Sequence, residues 1–204
     1  MANVVSRSVR DTALFLDAGH GHEPGSAYWA APVERPYVEE LRRDPGKLRI
    51  AVVRQSLTGA PLDPAIAATL EHTLKQLLGL GHELEELTLG IDPRQLFGAH
   101  GTVVGTGLLS LVHDREQALG RAATAEDLEQ ITQVVLERAK GTNGEAMYRA
   151  RQSFESIGAA MEKHFERFDL ILSPVTASLT PELGVLSLDQ GWDLSLIHIS
   201  EPTR

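Results

Sequence analysis

The chain contains no cysteine, and that absence excludes several kinds of site at once. Disulfide bonds, a thiolate nucleophile and zinc or iron–sulfur centres held by cysteine are all ruled out. Basic residues are also in the minority, since 19 lysines and arginines stand against 28 aspartates and glutamates and give a net charge of −9. Because binding to a phosphate backbone needs a basic face, we expect no nucleic-acid partner.

Long apolar runs are missing as well. No run in the sequence approaches the ~20 residues that a membrane span needs, and the amino terminus lacks the basic-then-apolar pattern of a secretory signal. The 204 residues are 42% hydrophobic and 23% charged, which is ordinary for a soluble protein with a core of its own. We therefore expect a cytoplasmic protein with no membrane partner.

Apolar runs and helix signals alternate along the middle of the chain in the manner of an α/β protein. Residues 48–53 (LRIAVV) form a nearly continuous apolar run, which is typical of a strand covered on both faces. Asp63-Pro64 then opens a helix that runs to about Leu78, and residues 82–89 predict the next strand. A strand, a helix and a strand at this spacing predict a parallel crossover.

The remaining elements are predicted from capping residues and helical periodicity. Ser8 with Asp11 predicts a short, buried first helix. Residues 169–173 (DLILS) form a further apolar segment and predict a third strand. Between the second and third predicted strands the pattern predicts three helices. The first covers residues 93–119, and the second is capped by Thr124 and Asp127. The third is capped by Thr142 and Glu145 and runs to about Phe168. Four glycines interrupt the 93–119 helix: Gly98, Gly101, Gly105 and Gly107. Each costs roughly 1 kcal/mol against alanine, so we expect another backbone or a ligand to approach closely there.

Histidines offer only weak candidates for chemistry. His20, His22 and Glu23 could contribute to a divalent-metal site, but a third protein ligand at usable spacing is absent, so we predict no metal. His100 lies on the apolar face of the 93–119 helix and is expected to be a core or pocket-lining residue rather than a general base. The other histidines of the helical and strand segments (His72, His82, His113 and His164) are predicted to be surface residues.

Nucleophile and phosphate motifs are also missing. Gly25-Ser26 is the only Gly-Ser pair and lacks the strand and helix flanks of a nucleophile elbow. The sequence contains no Ser-Ser pair and no glycine-rich phosphate loop after a strand. What remains is the loop Pro174-Val175-Thr176, which follows a predicted strand. Ligands of open α/β sheets sit beyond the carboxyl ends of strands, so these three residues are the predicted pocket wall.

Several segments, taken in order, resemble the amidase signature family. The helix 6–17 (SRSVRDTALFLD) looks like the arginine-containing helix that follows the family's signature region. The proline-containing link from Gly25 to Leu41, the strand phrase 46–53 (GKLRIAVV), and the segments 80–85 (LGHELE) and 169–176 (DLILSPVT) continue in family order. The resemblance covers residues 3–186, and its wording is most similar to the subgroup of 6-aminohexanoate cyclic-dimer hydrolases and related amidases.

The resemblance implies an α/β/α fold with a mixed sheet flanked by helices, and hydrolysis of amide C–N bonds by a Ser–cis-Ser–Lys triad without metal or cofactor. The family's catalytic lysine and Gly-Gly-Ser-Ser-Gly-Gly region precede the arginine helix, and Lys47, Lys75, Lys140 and Lys163 do not match that lysine. No catalytic residue therefore transfers to this chain. Only Pro174, Val175 and Thr176 carry over, as a segment near the acyl pocket.

We accordingly expect residues 1–190 to be the central to carboxyl-terminal part of an amidase domain, truncated at both ends and inactive alone. Residues 191–204 look unlike native protein, and the last ten of them, 195–204, look like translated adapter sequence. The expected partner is a small-molecule amide substrate, and a homodimer is a further option. The alternatives from other classes are a noncatalytic α/β module that binds a small molecule, and an interaction scaffold built on the helices from 124 to 168.

Overall fold

The computed structural model describes residues 4–26 and 31–185, and these form two compact units. The first unit, which ends at Gly46, contains helix α1 (Val9–Gly19) and the short helix α2 (Tyr37–Glu40). Ser8 caps α1 as predicted, because its hydroxyl accepts the Asp11 N–H at 3.1 Å. The expected tail, 191–204, lies outside the described residues.

Helix α1 is less buried than its composition predicts. Among its residues only Ala13 is buried, while Leu14 and Phe15 are each 49% exposed, so the expectation of a buried helix is wrong for the described part of this unit. The contact that does hold the unit together is polar. The Asp17 carboxylate accepts the N–H groups of Tyr37 (2.6 Å) and Val38 (3.0 Å), and it thereby joins α1 to the first turn of α2.

The second unit, from Lys47 onward, contains a three-stranded parallel sheet. Its strands are β1 (Arg49–Val52), β2 (Glu83–Glu86) and β3 (Leu170–Leu172), in the order β2-β1-β3. Ile50 lies opposite Leu84 on one side and Leu170 on the other. The predicted parallel crossover is therefore confirmed. The resemblance implies a mixed sheet, but the three strands found in the described residues are all parallel.

The core of the sheet follows from the apolar run in β1. Ile50, Ala51, Val52 and the adjacent Val53 are all buried, as a central strand covered on both faces requires. Helix α3 (Pro64–Gly79) packs Leu70 and Leu74 against Val52. Its first turn is capped by the Asp63 carboxylate, which accepts the Ala65 N–H at 2.8 Å, and Pro64 stands at the first helical position. The Asp-Pro pair thus has the predicted role.

Three further helices lie between β2 and β3 in the chain: α4 (Pro93–Leu119), α5 (Gln130–Ala139) and α6 (Gly144–Phe165). Both α5 and α6 pack against α4. The predicted start of α5 is wrong, because Thr124 and Asp127 lie before the helix in a loop of their own. There the Asp127 carboxylate accepts the Thr124 N–H and hydroxyl, both at 2.8 Å, and pairs with Arg121 at 2.7 Å. The Thr124 and Asp127 side chains, whose spacing resembles a helix cap, thus form the hydrogen bonds of a loop instead.

Helix α6 also begins and ends differently from the prediction. Its cap is Asn143, whose side chain accepts the Ala146 N–H at 2.8 Å, rather than Thr142, and the helix ends at Phe165 rather than near Phe168. Helical periodicity also predicts one apolar packing face on this helix: Met147, Ala150, Phe154, Ile157, Met161 and Phe165. Ala150 is buried, Met147, Phe154, Ile157 and Met161 are half-buried, and Phe165 is 50% exposed. The face therefore packs inward except at its last residue.

Only one of the four α4 glycines lies against a neighbour in the described part of the chain. A Cβ on Gly105 would come within 3.4 Å of Ala139 Cβ and 3.7 Å of Val135 Cγ1, both on α5. A Cβ on Gly98, Gly101 or Gly107 would meet no described atom within 4 Å. The predicted close approach is confirmed at Gly105, and the other three stand in open space.

Length and composition make α4 the one helix in residues 4–26 and 31–185 that could cross a membrane. This differs from the sequence expectation, because valine, leucine and alanine keep the helix apolar on average while glycine, threonine and serine interrupt every apolar run. A mostly buried core helix of a soluble protein meets the same criterion; α4 packs against both α5 and α6, but only 11% of its most apolar stretch is buried among the described residues.

A candidate cleft at the carboxyl ends of the strands

The predicted pocket wall lies where the sheet ends. The Val53 N–H donates to the Leu172 carbonyl (2.9 Å), and the Leu87 N–H donates to the Val52 carbonyl (2.9 Å), so all three strands stop at nearly the same level. Beyond that level the chain leaves the sheet in three loops: 53–59, 87–91 and 173–177. Parallel strands present their carboxyl ends at one edge, and that edge is where open α/β sheets bind ligands.

Two adjoining hollows lie among these loops. One has a volume of about 310 Å³ and is bounded by the first and third loops, and the other has about 390 Å³ and is bounded by the first and second loops. They share five residues: Val53, Gln55, Ser56, Leu57 and Leu89. We refer to the two hollows together as the strand-end cleft. Its lining is mixed, with apolar side chains such as Val53, Leu57 and Leu89 beside polar and charged ones such as Arg54, Ser56 and Glu86.

Pro174, Val175 and Thr176 all line the strand-end cleft. Pro174 is half-buried, Val175 is 100% exposed, and the Thr176 hydroxyl donates to the Ser178 carbonyl at 2.9 Å. The loop is anchored at its far end, where the Asp63 N–H donates to the Ala177 carbonyl at 2.8 Å. The structure thus brings the three predicted residues together on one wall, and their contact with a substrate stays a prediction.

Sequence reasoning missed the opposite wall of the strand-end cleft. Gln55, Ser56 and Leu57 follow β1 directly, just as Pro174 follows β3, and the same rule about strand ends could have found them. Ser56 does not resemble an activated nucleophile, because its hydroxyl hydrogen-bonds to the Thr58 hydroxyl at 3.0 Å. Among residues 4–26 and 31–185, Gln55 is the only side-chain amide that lines either hollow. An amide group can both donate and accept, so this wall suits a ligand that carries amide bonds.

Positive charge near the strand-end cleft is neutralised by ion pairs. The Arg54 guanidinium donates to Glu86 at 2.7 Å through Nε and pairs with Glu71 on α3 through Nη1. Adjacent carboxylates such as Glu85 and Glu86 are ordinarily expected to be solvated only, but both form ion pairs here. Glu85 binds Arg167 at 2.6 Å, and Glu86 binds Arg54.

Ion pairs also fix the opposite edge of the sheet. The Asp169 carboxylate accepts the Arg49 N–H at 2.8 Å and the Arg49 guanidinium at 2.9 Å, and these bonds hold the pKa of Asp169 below its ordinary value. Lys47 lies 2.8 Å from Glu83 and lowers the pKa of Glu83 in the same way. Ion pairs therefore link the amino-terminal ends of the strands, whereas the carboxyl-terminal ends border the strand-end cleft.

The histidines differ in part from their predicted roles. His100 is exposed, so the expectation of a core or pocket-lining position is wrong. His82 and His164, predicted to be surface residues, are half-buried and engaged with the backbone. The Leu48 N–H donates to His82 Nδ1 (3.2 Å), and His164 Nε2 donates to the Leu89 carbonyl (3.2 Å) beside the strand-end cleft. Both act as structural links that sequence spacing does not reveal.

The segment around His20 is occupied with local contacts. His20 Nδ1 lies 3.1 Å from the Leu16 carbonyl and 3.2 Å from the Asp17 carbonyl, and its ring meets Tyr37 edge to face. Within residues 4–26 and 31–185, no group of three or more histidine, aspartate or glutamate side chains is arranged to hold a metal ion.

A larger hollow, of about 660 Å³, lies elsewhere, between α4, α5 and the loop that joins them. Two polar side chains that line it, Glu116 and Gln133, form hydrogen bonds with the backbone of that loop. Glu116 accepts the Ala123 N–H at 2.7 Å, and Gln133 donates to the carbonyls of Ala125 (3.0 Å) and Leu128 (2.7 Å). These bonds tie the loop to both helices, so this hollow is a packing feature of the helices and lies away from the strand ends.

Comparison with known proteins identifies the family. The amidase family model matches residues 2–199. The 6-aminohexanoate-cyclic-dimer hydrolases of Paenarthrobacter ureafaciens and Pseudomonas sp. strain NK87 are each 29% identical to the chain, over 93% and 95% of its length. A solved structure of 6-aminohexanoate cyclic dimer hydrolase matches 96% of the chain with a TM-score of 0.85 and 27% identity.

The match covers only part of each relative. The chain spans 39% and 40% of the two hydrolase sequences and 42% of the solved chain. Within that span the fold matches that of the solved enzyme, with a TM-score of 0.85. With the family model matched along nearly its whole length, this chain belongs to the amidase signature family.

Proposed function

We propose that the chain is the central to carboxyl-terminal part of an enzyme that hydrolyses amide C–N bonds in small linear or cyclic amides. The observation that carries the proposal is the family match over residues 2–199. The likeness to the 6-aminohexanoate-cyclic-dimer hydrolases, with a TM-score of 0.85, supports a compact aliphatic amide as substrate. Residues 1–190 belong to the amidase domain in this proposal, and the enzyme works in the cytoplasm.

The chemistry follows the family's Ser–cis-Ser–Lys arrangement, with residues supplied by a part of the enzyme that this chain does not contain. The lysine accepts a proton through the bridging serine, and the serine nucleophile attacks the amide carbonyl. The amine then leaves with a proton, and water releases the acyl group from the serine. No step requires a metal or a cofactor.

The contribution of this chain is the strand-end cleft. Pro174, Val175 and Thr176 form the wall against which the acyl part of the substrate packs, and Gln55 offers an amide group from the opposite wall. The cleft is apolar where a polymethylene chain would lie, at Val53, Leu57 and Leu89. Binding on such a surface positions the scissile bond without taking part in bond breaking.

The coding DNA upstream of Met1 tests the proposal directly. An in-frame lysine codon followed by a Gly-Ser-Ser-Gly segment is the expected finding, and the whole protein should then release an amine from 6-aminohexanoate cyclic dimer. A clean intergenic region upstream would contradict the proposal and favour a noncatalytic small-molecule-binding module.

A substitution in the cleft then tests the role of its wall. Val175→Asp in the whole enzyme should raise KM for the amide at least about tenfold, because it places a charge against the apolar part of the substrate. Leu179→Asp, at a residue that is also exposed but lies outside the cleft lining, is the matched control and should leave KM unchanged.

A further inference from the structure

The packing of α5 against α4 leaves a second concave surface, away from the strand-end cleft. It is the hollow of about 660 Å³ that the two helices and their joining loop border, and we call it the interhelical hollow. Its apolar middle consists of four side chains that are buried or half-buried: Leu109, Val112, Leu128 and Leu136. The volume lies within the range of small-molecule sites, so the charged groups at its borders decide which ligand fits.

Glu116 supplies negative charge at the loop end of the interhelical hollow. One oxygen of its carboxylate accepts the Ala123 N–H at 2.7 Å. The other oxygen lies 3.8 Å from His113 Nδ1, which is beyond hydrogen-bonding distance. The side chain is half-buried and lines the hollow, so this second oxygen is in a position to accept a hydrogen bond from a ligand.

Lys140 supplies positive charge at the opposite end. It follows Ala139, whose Cβ lies 3.4 Å from where a Cβ on Gly105 would stand. Glu116 is eleven residues further along α4 than Gly105, a distance of about 16 Å along the helix axis. The Lys140 ammonium group pairs with Glu137 at 2.5 Å, but both side chains are exposed and such pairs contribute little, so the carboxylate of a ligand can replace Glu137.

This arrangement matches a linear aliphatic molecule with an ammonium group at one end and a carboxylate at the other. The proposed reaction yields such a molecule from a cyclic diamide. One C–N bond breaks, the oxygen of water goes to the carbonyl carbon, which becomes a carboxylate, and both protons of water go to the nitrogen, which becomes an ammonium group. The linear dimer of 6-aminohexanoate has thirteen bonds between its terminal nitrogen and its carboxylate carbon, about 16 Å when extended.

We propose that the interhelical hollow is a second binding site, and that it takes a linear ω-amino acid with an internal amide. The ammonium group donates to Glu116, the methylene groups pack on Leu109 and Leu136, and the carboxylate pairs with Lys140. The Ser110 hydroxyl also lines the hollow and suits the internal amide. The site is argued from its residues alone, while the choice of ligand rests on the proposed function.

Calorimetry on the purified 204-residue chain tests the proposal, with the linear dimer of 6-aminohexanoate as the probe. One equivalent should bind saturably. The cyclic dimer lacks both charges, and 6-aminohexanoate is too short to reach both ends of the hollow. Each of these two compounds should therefore bind at least about tenfold more weakly than the linear dimer. No saturable binding of the linear dimer, or equal binding of all three compounds, would overturn the proposal.

Substitutions at the two charged ends locate the site. Glu116→Gln removes the negative charge but keeps an acceptor for the Ala123 N–H, and Lys140→Gln removes the positive charge at an exposed residue. Each should weaken binding of the linear dimer at least about tenfold. Glu162→Gln and Lys163→Gln make the same charge changes at exposed α6 residues outside the hollow's lining, and they should leave binding unchanged. Equal losses at Lys140 and Lys163 would show general charge attraction and overturn the proposal.

Val175→Asp distinguishes the interhelical hollow from the strand-end cleft. This variant should bind the linear dimer as the parent chain does. Binding that Val175→Asp abolishes and Lys140→Gln leaves intact would assign the ligand to the strand-end cleft and overturn the proposal. Turnover of the cyclic dimer by the whole enzyme reports separately on the proposed function. Binding in the hollow without turnover contradicts the function alone, and turnover without such binding contradicts the second site alone.

Discussion

At the scale of single residues, the Asp169–Arg49 contact makes stability depend on pH. The carboxylate is bonded to both the N–H and the guanidinium of Arg49, and its pKa is lower in the folded chain than in the unfolded chain. Its contribution to folding is therefore fully present above the unfolded value, near pH 4, and is lost as the pH falls through the folded pKa.

Asp169→Asn should lower the free energy of unfolding at pH 7 and flatten its decline between about pH 4 and pH 2, because the amide does not titrate. Urea unfolding at a series of pH values measures both effects. Asp114→Asn, at an exposed carboxylate on α4, is the control and should leave the profile unchanged. An Asp169→Asn protein with the parent's pH profile would contradict the assigned contact.

The pair His20 and His22 gives a second prediction at this scale. Zinc added to the purified chain should show no stoichiometric binding by calorimetry, because two imidazoles and one carboxylate leave the site incomplete and His20 Nδ1 already lies against helix carbonyls. Binding of one equivalent that disappears in His22→Ala would refute it.

At the scale of elements, the cap of α3 supports both the sheet and the strand-end cleft. The Asp63 side chain accepts the Ala65 N–H, and the Asp63 N–H donates to Ala177 in the cleft wall. Asp63→Ala should reduce the free energy of unfolding by about 1 kcal/mol, as is usual for loss of a helix cap. Asp63→Asn keeps an acceptor oxygen and should cost far less. Chemical denaturation of the two variants decides, and equal losses would contradict the capping role.

Packing between α4 and α5 gives the other element-scale prediction. Gly105→Leu should destabilise the chain by about 1–3 kcal/mol, because the side chain meets Ala139 and Val135 at van der Waals distance. Gly107→Leu, two residues along the same helix and in open space, should be neutral or stabilising. Thermal melts of the pair test the contact, and similar melts for both would count against it.

Helices and strands were predictable where the local sequence pattern is compatible with only one structure. The run LRIAVV, the Asp63-Pro64 pair and the Ser8 cap all correspond to observed elements. Prediction failed where a polar side chain had two possible uses. Asp127 could serve a helix cap or a loop, and Arg121, which sequence spacing did not connect to it, selects the loop.

Burial was harder to predict than secondary structure, because it depends on what the rest of the protein places nearby. His100 and the α1 residues Leu14 and Phe15 lie on apolar faces, yet all three are exposed. In the strand-end cleft, one wall was predictable from the loop after β3. The strand-end rule also marks the loop after β1, but only the sheet order shows that β1 and β3 are neighbours and that their two loops line one cleft.

At the scale of the whole molecule, the chain by itself should hydrolyse no amide. The family resemblance assigns none of its lysines or serines to the catalytic arrangement, so incubation of the purified chain with 6-aminohexanoate cyclic dimer should release no amine. Fluorophosphonate labelling is the more sensitive measurement. A single labelled serine whose substitution abolishes turnover would refute the prediction.

The order of the strands has a consequence for synthesis on the ribosome. β1 is the central strand, and its two partner strands lie at very different distances along the chain. Arg49 pairs with Glu83, whereas Ile50 also pairs with Leu170, which is synthesised much later. At about 5–20 residues per second, residues 91–170 take roughly 4–16 s to be made. Throughout that interval β1, α3 and β2 can associate while one edge of β1 remains open to any passing strand. The nascent chain is therefore most exposed to mispairing after half of it has been made, and a chaperone that binds apolar strand edges would act in that window.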